Sequence, residues 1–87
     1  MTTKQRELAR HSLGLPNANK TSYRNHFVCG PGHDDYEEWL SMSLFGLARH
    51  RSMGQLSGGD EVFWLTSEAA HEALDRGEKL DPEDFSE

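Results

Sequence analysis

Three side chains able to bind a metal or activate a nucleophile fall close together: His26, Cys29 and His33, spaced H-x2-C-x3-H. Zinc takes four N, S or O donors in a tetrahedron, and ligands converging on a turn meet that need. Gly30-Pro31-Gly32 supplies the turn, and Asp34 or His50 is the available fourth donor. The pattern has no CxxC, no second close pair and a single thiolate. Cys29 beside either histidine also suggests a thiol–imidazole pair. Nucleophilic catalysis further requires a third, orienting group and an oxyanion site, and the sequence offers neither. Gly58-Gly59-Asp60 reads as a hairpin turn rather than a phosphate-binding loop. The expectation is a non-catalytic protein without a cofactor or small-molecule substrate, with His26, Cys29 and His33 as residual metal candidates.

A second group could contact phosphate. Arg49, His50 and Arg51 form a basic cluster, and Arg10, Lys20 and Arg24 lie upstream. The chain as a whole opposes such a role, with a net charge of −6. Its charge is uneven: +4 over residues 1–30, −4 over 31–66 and −6 over 67–87. Coating nucleic acid needs a dense basic face, so global acidity argues against it while leaving a local patch open. Arg24 and Asn25, between Tyr23 and Phe27, could reach a phosphate, a base edge or a partner carboxylate. The reading favoured here is internal, with Arg24 paired to acids and Asn25 satisfying turn backbone.

A third group could contact protein. Tyr36, Trp39, Leu40, Leu44 and Leu47 recur at helical spacing, while Met42 and Phe45 lie off that stripe. Exposed Met and aromatic residues are common interface anchors. Met42, Phe45, Tyr36, Glu37 and Glu38 are therefore the expected protein-binding residues. The competing reading buries Met42 and Phe45 against the first helix.

These residues need elements to hold them. Eighty-seven residues, 34% apolar and 28% charged, make one domain with one small core. No apolar run approaches the roughly 20 residues of a membrane span. The N-terminal residues are polar, and one cysteine forms no internal disulfide, so a cytoplasmic setting is expected. Thr2 or Thr3 caps a helix over about 4–13, which Gly14 and Pro16 stop. Residues 16–35 read as irregular apart from a short extended stretch over 23–28. Asp34 or Asp35 caps a helix from Tyr36 to about Ala48. Strands follow over 48–53 and 61–66, joined by a loop over 54–60. Thr66 or Ser67 starts a last helix, and Gly77 stops it. The domain is assigned to residues 1–79, with 80–87 as a loosely held acidic tail whose Leu80 and Phe85 could dock on the domain.

The run from Tyr36 to Leu74 resembles the helix–wing–helix half of MarR-like winged-helix domains. Gly46-Leu47 matches the pair that ends the recognition helix, and Leu65-Thr66 matches the passage from wing strand to helix. The overlap covers about 40 of the 87 residues. It departs from the family in having one clear helix, not two, before the wing. The resemblance implies an α+β winged-helix-like fold of three helices with a C-terminal β-hairpin wing. It also implies DNA binding, with the helix from Tyr36 in the major groove. That helix opens with Asp34, Asp35, Glu37 and Glu38, which repel phosphate. TSYRNHFV, GGDEVFWLT and LDPEDF also resemble segments of small uncharacterised proteins of tailed phages and prophages, which carry no activity to transfer. Together these readings point to a protein-interaction or regulatory module of phage or prophage origin, working in the host cytoplasm on a protein partner or as a homodimer. The alternative is a DNA-binding regulator contacting phosphates through Arg10, Lys20, Arg24, Arg49 and Arg51.

Overall fold

A capping box starts the first helix, α1 (Thr3–Leu13). The Thr2 hydroxyl accepts the Gln5 N–H at 3.1 Å, and the Gln5 side chain accepts the Thr2 N–H at 3.0 Å. Gly14 ends it in the left-handed region, φ 79°, where a side chain would be strained and would also strike the Tyr23 ring. The Leu15 N–H then reaches back to the Arg10 carbonyl at 2.9 Å. Leu8, Ala9, Ser12 and Leu13 form the buried face of α1. These contacts come from a computed structural model describing residues 1–54 and 58–85. Residues 55–57 of the expected hairpin loop, and 86–87 of the expected tail, lie outside the described residues.

The elements after α1 are β1 (Phe27–Cys29), α2 (Tyr36–Leu44), β2 (Ala48–Ser52), β3 (Glu61–Leu65) and α3 (Ser67–Glu72). A 3-10 turn covers Pro82–Phe85. The three strands form one antiparallel sheet in the order β1-β3-β2. Phe27 pairs with Phe63 on one side of β3, and Arg49 pairs with Trp64 on the other.

This arrangement corrects the expected winged helix with a C-terminal hairpin wing. The fold is mixed α and β, but the strands lie between the helices, and α3 follows the hairpin and packs back on α1. The physical reason lies in β3. Both its faces are apolar, and both its edges need hydrogen-bond partners. β1, from the stretch read as mostly irregular, pairs with the second edge. The hairpin is thereby built into the core instead of projecting from it, and only α2 stands between β1 and β2.

α2 also stops earlier than its periodicity suggests. Gly46 adopts φ 76°, and the Leu47 N–H turns back to the Met42 carbonyl at 2.9 Å. The helix therefore closes at Leu44, and Ala48 already belongs to β2. At its start Asp35 makes no side-chain cap bond. Its carboxylate instead meets Lys4 at 3.2 Å, tying α2 to α1.

Trp39 centres the core. Its ring lies 5.4 Å from Phe27 and 5.6 Å from Phe63, with Met42, Leu13 and Leu65 also buried. Aromatic rings bury roughly 150–250 Å² each and dominate a core this small. Loop 16–26 is fixed by backbone. The Lys79 N–H donates to Lys20 O at 2.8 Å, and the Ser22 N–H donates to Lys79 O at 2.9 Å. The buried Ser22 hydroxyl accepts the Asp81 N–H, while Leu80 and Phe85 pack against the core. No helix among the described residues is long and apolar enough to cross a membrane.

Candidate functional site

Cys29 sits in β1 at 2% exposure. Burial pushes its thiol up to about 11, with Asp35, Asp60 and Glu61 adding in the same direction. A thiol held protonated is a poor nucleophile and a poor zinc ligand. His26 and His33 are exposed, and His33 Nδ1 accepts the Asp35 N–H at 3.0 Å. Among the described residues, no group of three or more His, Cys, Asp or Glu is placed to hold a metal ion. The spacing of His26, Cys29 and His33 therefore does not become a ligand set. β1 directs Cys29 inward, while the two histidines lie at its flanks.

His50 is committed elsewhere. Its Nδ1 lies 2.5 Å from Glu61 Oε1, and the Tyr36 hydroxyl donates to Glu61 Oε2 at 2.5 Å. The Tyr36 bond, then His50, holds the Glu61 carboxyl below the usual carboxylate range, and Tyr36 is raised by the same bond. His50 also stacks on Phe63 at 5.1 Å. This network fastens α2 to the hairpin, and it spends the hydroxyl of Tyr36 that was expected to meet a partner.

The basic residues separate into spent and unspent. Arg10 is 9% exposed. Its guanidinium donates to both Glu78 oxygens, at 2.5 and 2.8 Å, and to the Ala73 carbonyl at 2.9 Å. Arg10 is thus a strut between α1 and the segment after α3, which corrects its expected phosphate role. Arg24 donates to the His11 carbonyl at 2.7 Å and lies 5.3 Å from the Tyr23 ring centre. Its partner is a carbonyl rather than the acid expected. Lys20 is exposed on its loop at φ 56°. Arg49 and Arg51 are exposed on β2, and neither forms an ion pair among the described residues.

Asn25 works internally. Its Nδ2 donates to Leu65 O at 3.0 Å, and its Oδ1 accepts the Leu65 N–H at 2.9 Å. The side chain thus extends the ladder on the N-terminal side of β1. Replacement by alanine strands both backbone groups. Asn25→Ala is expected to cost about 2 kcal/mol, read as a lowered denaturation midpoint with an unchanged slope.

The expected protein-binding residues also divide. Met42 is 0% exposed and belongs to the core, so its reading as a surface anchor is corrected. It points inward one turn from Trp39. Glu37 is exposed and Glu38 is partly so. Phe45 is 76% exposed, and Leu44 beside it is 87% exposed. Leu44 lies on the stripe read from helical spacing, but α2 buries Trp39 and Met42 instead, and at 3.6 residues per turn Leu44 falls on the side of the helix opposite that pair. An apolar apex of Leu44 and Phe45 results, held by backbone bonds from the Phe45, Gly46 and Leu47 N–H groups to the Ser41, Ser43 and Met42 carbonyls.

Comparison with protein-family models, curated proteins and solved structures gave no match. The site is therefore read from its own chemistry. Two surfaces stand out: the α2 apex, and the outward sheet face carrying Arg49, Arg51 and Trp64. Sequence reading did not single out Trp64. Its alternation with Phe63 was the available signal, since whichever of the two faced away from α2 would be displayed.

Proposed function

We propose that this chain is a non-catalytic interaction module that binds a protein partner through the apex of α2. The carrying observation is the exposure of two large apolar side chains, Leu44 and Phe45, on a turn fixed by hydrogen bonds. Scattered single apolar residues are ordinary on surfaces; an adjacent pair this exposed on an ordered turn is an anchor seeking a pocket. Glu37 lies two helical turns before Leu44, so the fitting partner has an apolar pocket with a basic rim. The buried thiol of Cys29, pushed up to about 11, is in keeping with a structural rather than a nucleophilic part for that residue. A phage or prophage origin, inferred from TSYRNHFV, GGDEVFWLT and LDPEDF, suits a small protein that adapts or inhibits another.

Leu44→Asp and Phe45→Asp are each expected to weaken the complex at least tenfold, with the midpoint of thermal unfolding held within a few degrees. Light scattering reads homodimer formation, and a pull-down from host lysate reads a heterologous partner. Wild-type protein that is monomeric and retains nothing which the variants lose would refute this role. A second reading, anion or nucleic-acid binding, is favoured by one observation. Lys4, Arg6 and Arg10 are paired with carboxylates, whereas Arg49 and Arg51 are not paired among the described residues.

A further inference from the structure

The outward sheet face is independent of the α2 apex. Pleating places alternate residues of a strand on one face, so Val62 and Trp64 point away from buried Phe63 and Leu65. Trp64 stands across from Arg49, and Val62 stands between Arg51 and Val28. Trp64 is partly exposed. Beside it lies a cavity of about 120 Å³ lined by Asn25, Arg49, Thr66, Ser67, Asp84 and Phe85. That is room for a small planar group rather than a whole metabolite. Asp84 Oδ2 is buried with no hydrogen-bond partner among the described residues. Desolvation, followed by Asp81 and Glu83, raises its carboxyl above the usual range.

We propose that this face binds single-stranded nucleic acid, with a base stacked on Trp64, its exocyclic amine donating to Asp84, and flanking phosphates on Arg49 and Arg51. The open face of Trp64 and the two arginines then find partners of matching chemistry, and Asp84 lines the cavity beside them. Arg49 and Arg51, two residues apart on one strand, are separated by about 7 Å, within the span of one nucleotide of extended backbone. Stacking needs an unpaired base, which a duplex does not present to a flat sheet. A second copy pairing antiparallel along β2 about His50 would set Arg49 against Arg51, and like charges directly opposed are unfavourable. An acidic peptide would satisfy the arginines but bring carboxylates to Asp84 and leave the ring uncovered.

The probe is a labelled oligo-dC of about 12 nucleotides at about 50 mM salt, followed by anisotropy and tryptophan emission. Saturable binding with partial quenching is expected, because Trp39 is buried and only Trp64 is within reach. Trp64→Leu should remove the quenching and weaken binding at least fivefold, the buried Trp39 still reporting the fold. Arg49→Ala/Arg51→Ala changes only exposed side chains. It should weaken binding at least tenfold and reduce the salt slope by about 1.4. The proposal is overturned by an absence of binding at low salt, by equal affinity for a duplex, or by equally tight binding of a polyglutamate peptide. It is equally overturned if the double arginine variant binds like the wild type.

Discussion

Met42→Asp is expected to leave the protein unfolded at 25 °C, while Phe45→Asp, three residues along, leaves it folded. Met42 is 0% exposed and lies in the cluster around Trp39. Removing the methionine from a closed core costs about 2–5 kcal/mol. A carboxylate in its place must either lie desolvated or take up a proton, which adds several kcal/mol. A domain of this size is stable by roughly 4–13 kcal/mol in total, so the two penalties consume most or all of it. Phe45 is 76% exposed, and surface changes away from special features stay within about 0.5 kcal/mol. Circular dichroism with a urea titration on both variants checks the contrast. If Met42→Asp folds with wild-type stability, the placement of α2 is wrong. Loss of partner binding in Met42→Asp would by itself say nothing about an interface, so the function has to be tested at Leu44 and Phe45.

Glu78→Ala is expected to destabilise the protein by about 3 kcal/mol, and acid is expected to do part of the same. The Glu78 carboxylate takes two guanidinium bonds from Arg10, and the two side chains are 6% and 11% exposed. Removing Glu78 leaves the buried Arg10 charge with only the exposed Asp75 carboxylate, at 3.4 Å, which is a costly way to weaken such a pair. Arg10 holds the Glu78 carboxyl down to about 2 from 4.5, and Arg10 in turn is raised above its ordinary value. A depressed folded-state value means the unfolded chain binds the proton first. The contribution of Glu78, on the order of 2 kcal/mol, is therefore complete above about pH 4.5. It is lost as pH falls toward about 2. Urea midpoints from pH 6 to pH 2 should decline over that window in the wild type and less steeply in Glu78→Ala. Parallel declines would show that the pair does not carry the acid sensitivity. The same pair settles how Arg10 substitutions are to be read. Arg10→Ala should lower stability and leave the salt dependence of any oligonucleotide binding unchanged, because its charge is already neutralised within the fold.

Several parts of the architecture were legible because they rest on local rules. The Thr2 cap, the Gly14 stop and the inward face of α1 follow from capping chemistry and helical period. The alternation of Val62 and Trp64 against Phe63 and Leu65 follows from the pleat. β1 was hidden because Phe27–Cys29 is three residues long and carries no pattern by itself. Only the unpaired edge of β3 makes it a strand. The same omission turned a three-stranded sheet with helices on both sides in sequence into an expected terminal wing.

Candidate sites were less legible than elements, since spacing along the chain gives no distance across it. H-x2-C-x3-H looks like a ligand set in one dimension, but the strand turns Cys29 into the core and leaves both histidines outside. Arg10 and Arg49 are the same residue type in the same acidic chain. One faces Glu78 from 68 positions away and the other faces solvent. Composition, capping and hydrophobic period determined from sequence alone that this is a small, acidic, single-core α and β domain with a basic cluster at 49–51. Which cations stay free, which apolar residues stay exposed, and whether the sulfur meets the imidazoles were decided only by tertiary structure. Those outcomes depend on long-range pairing and burial, and both are properties of neighbours that the local sequence does not contain.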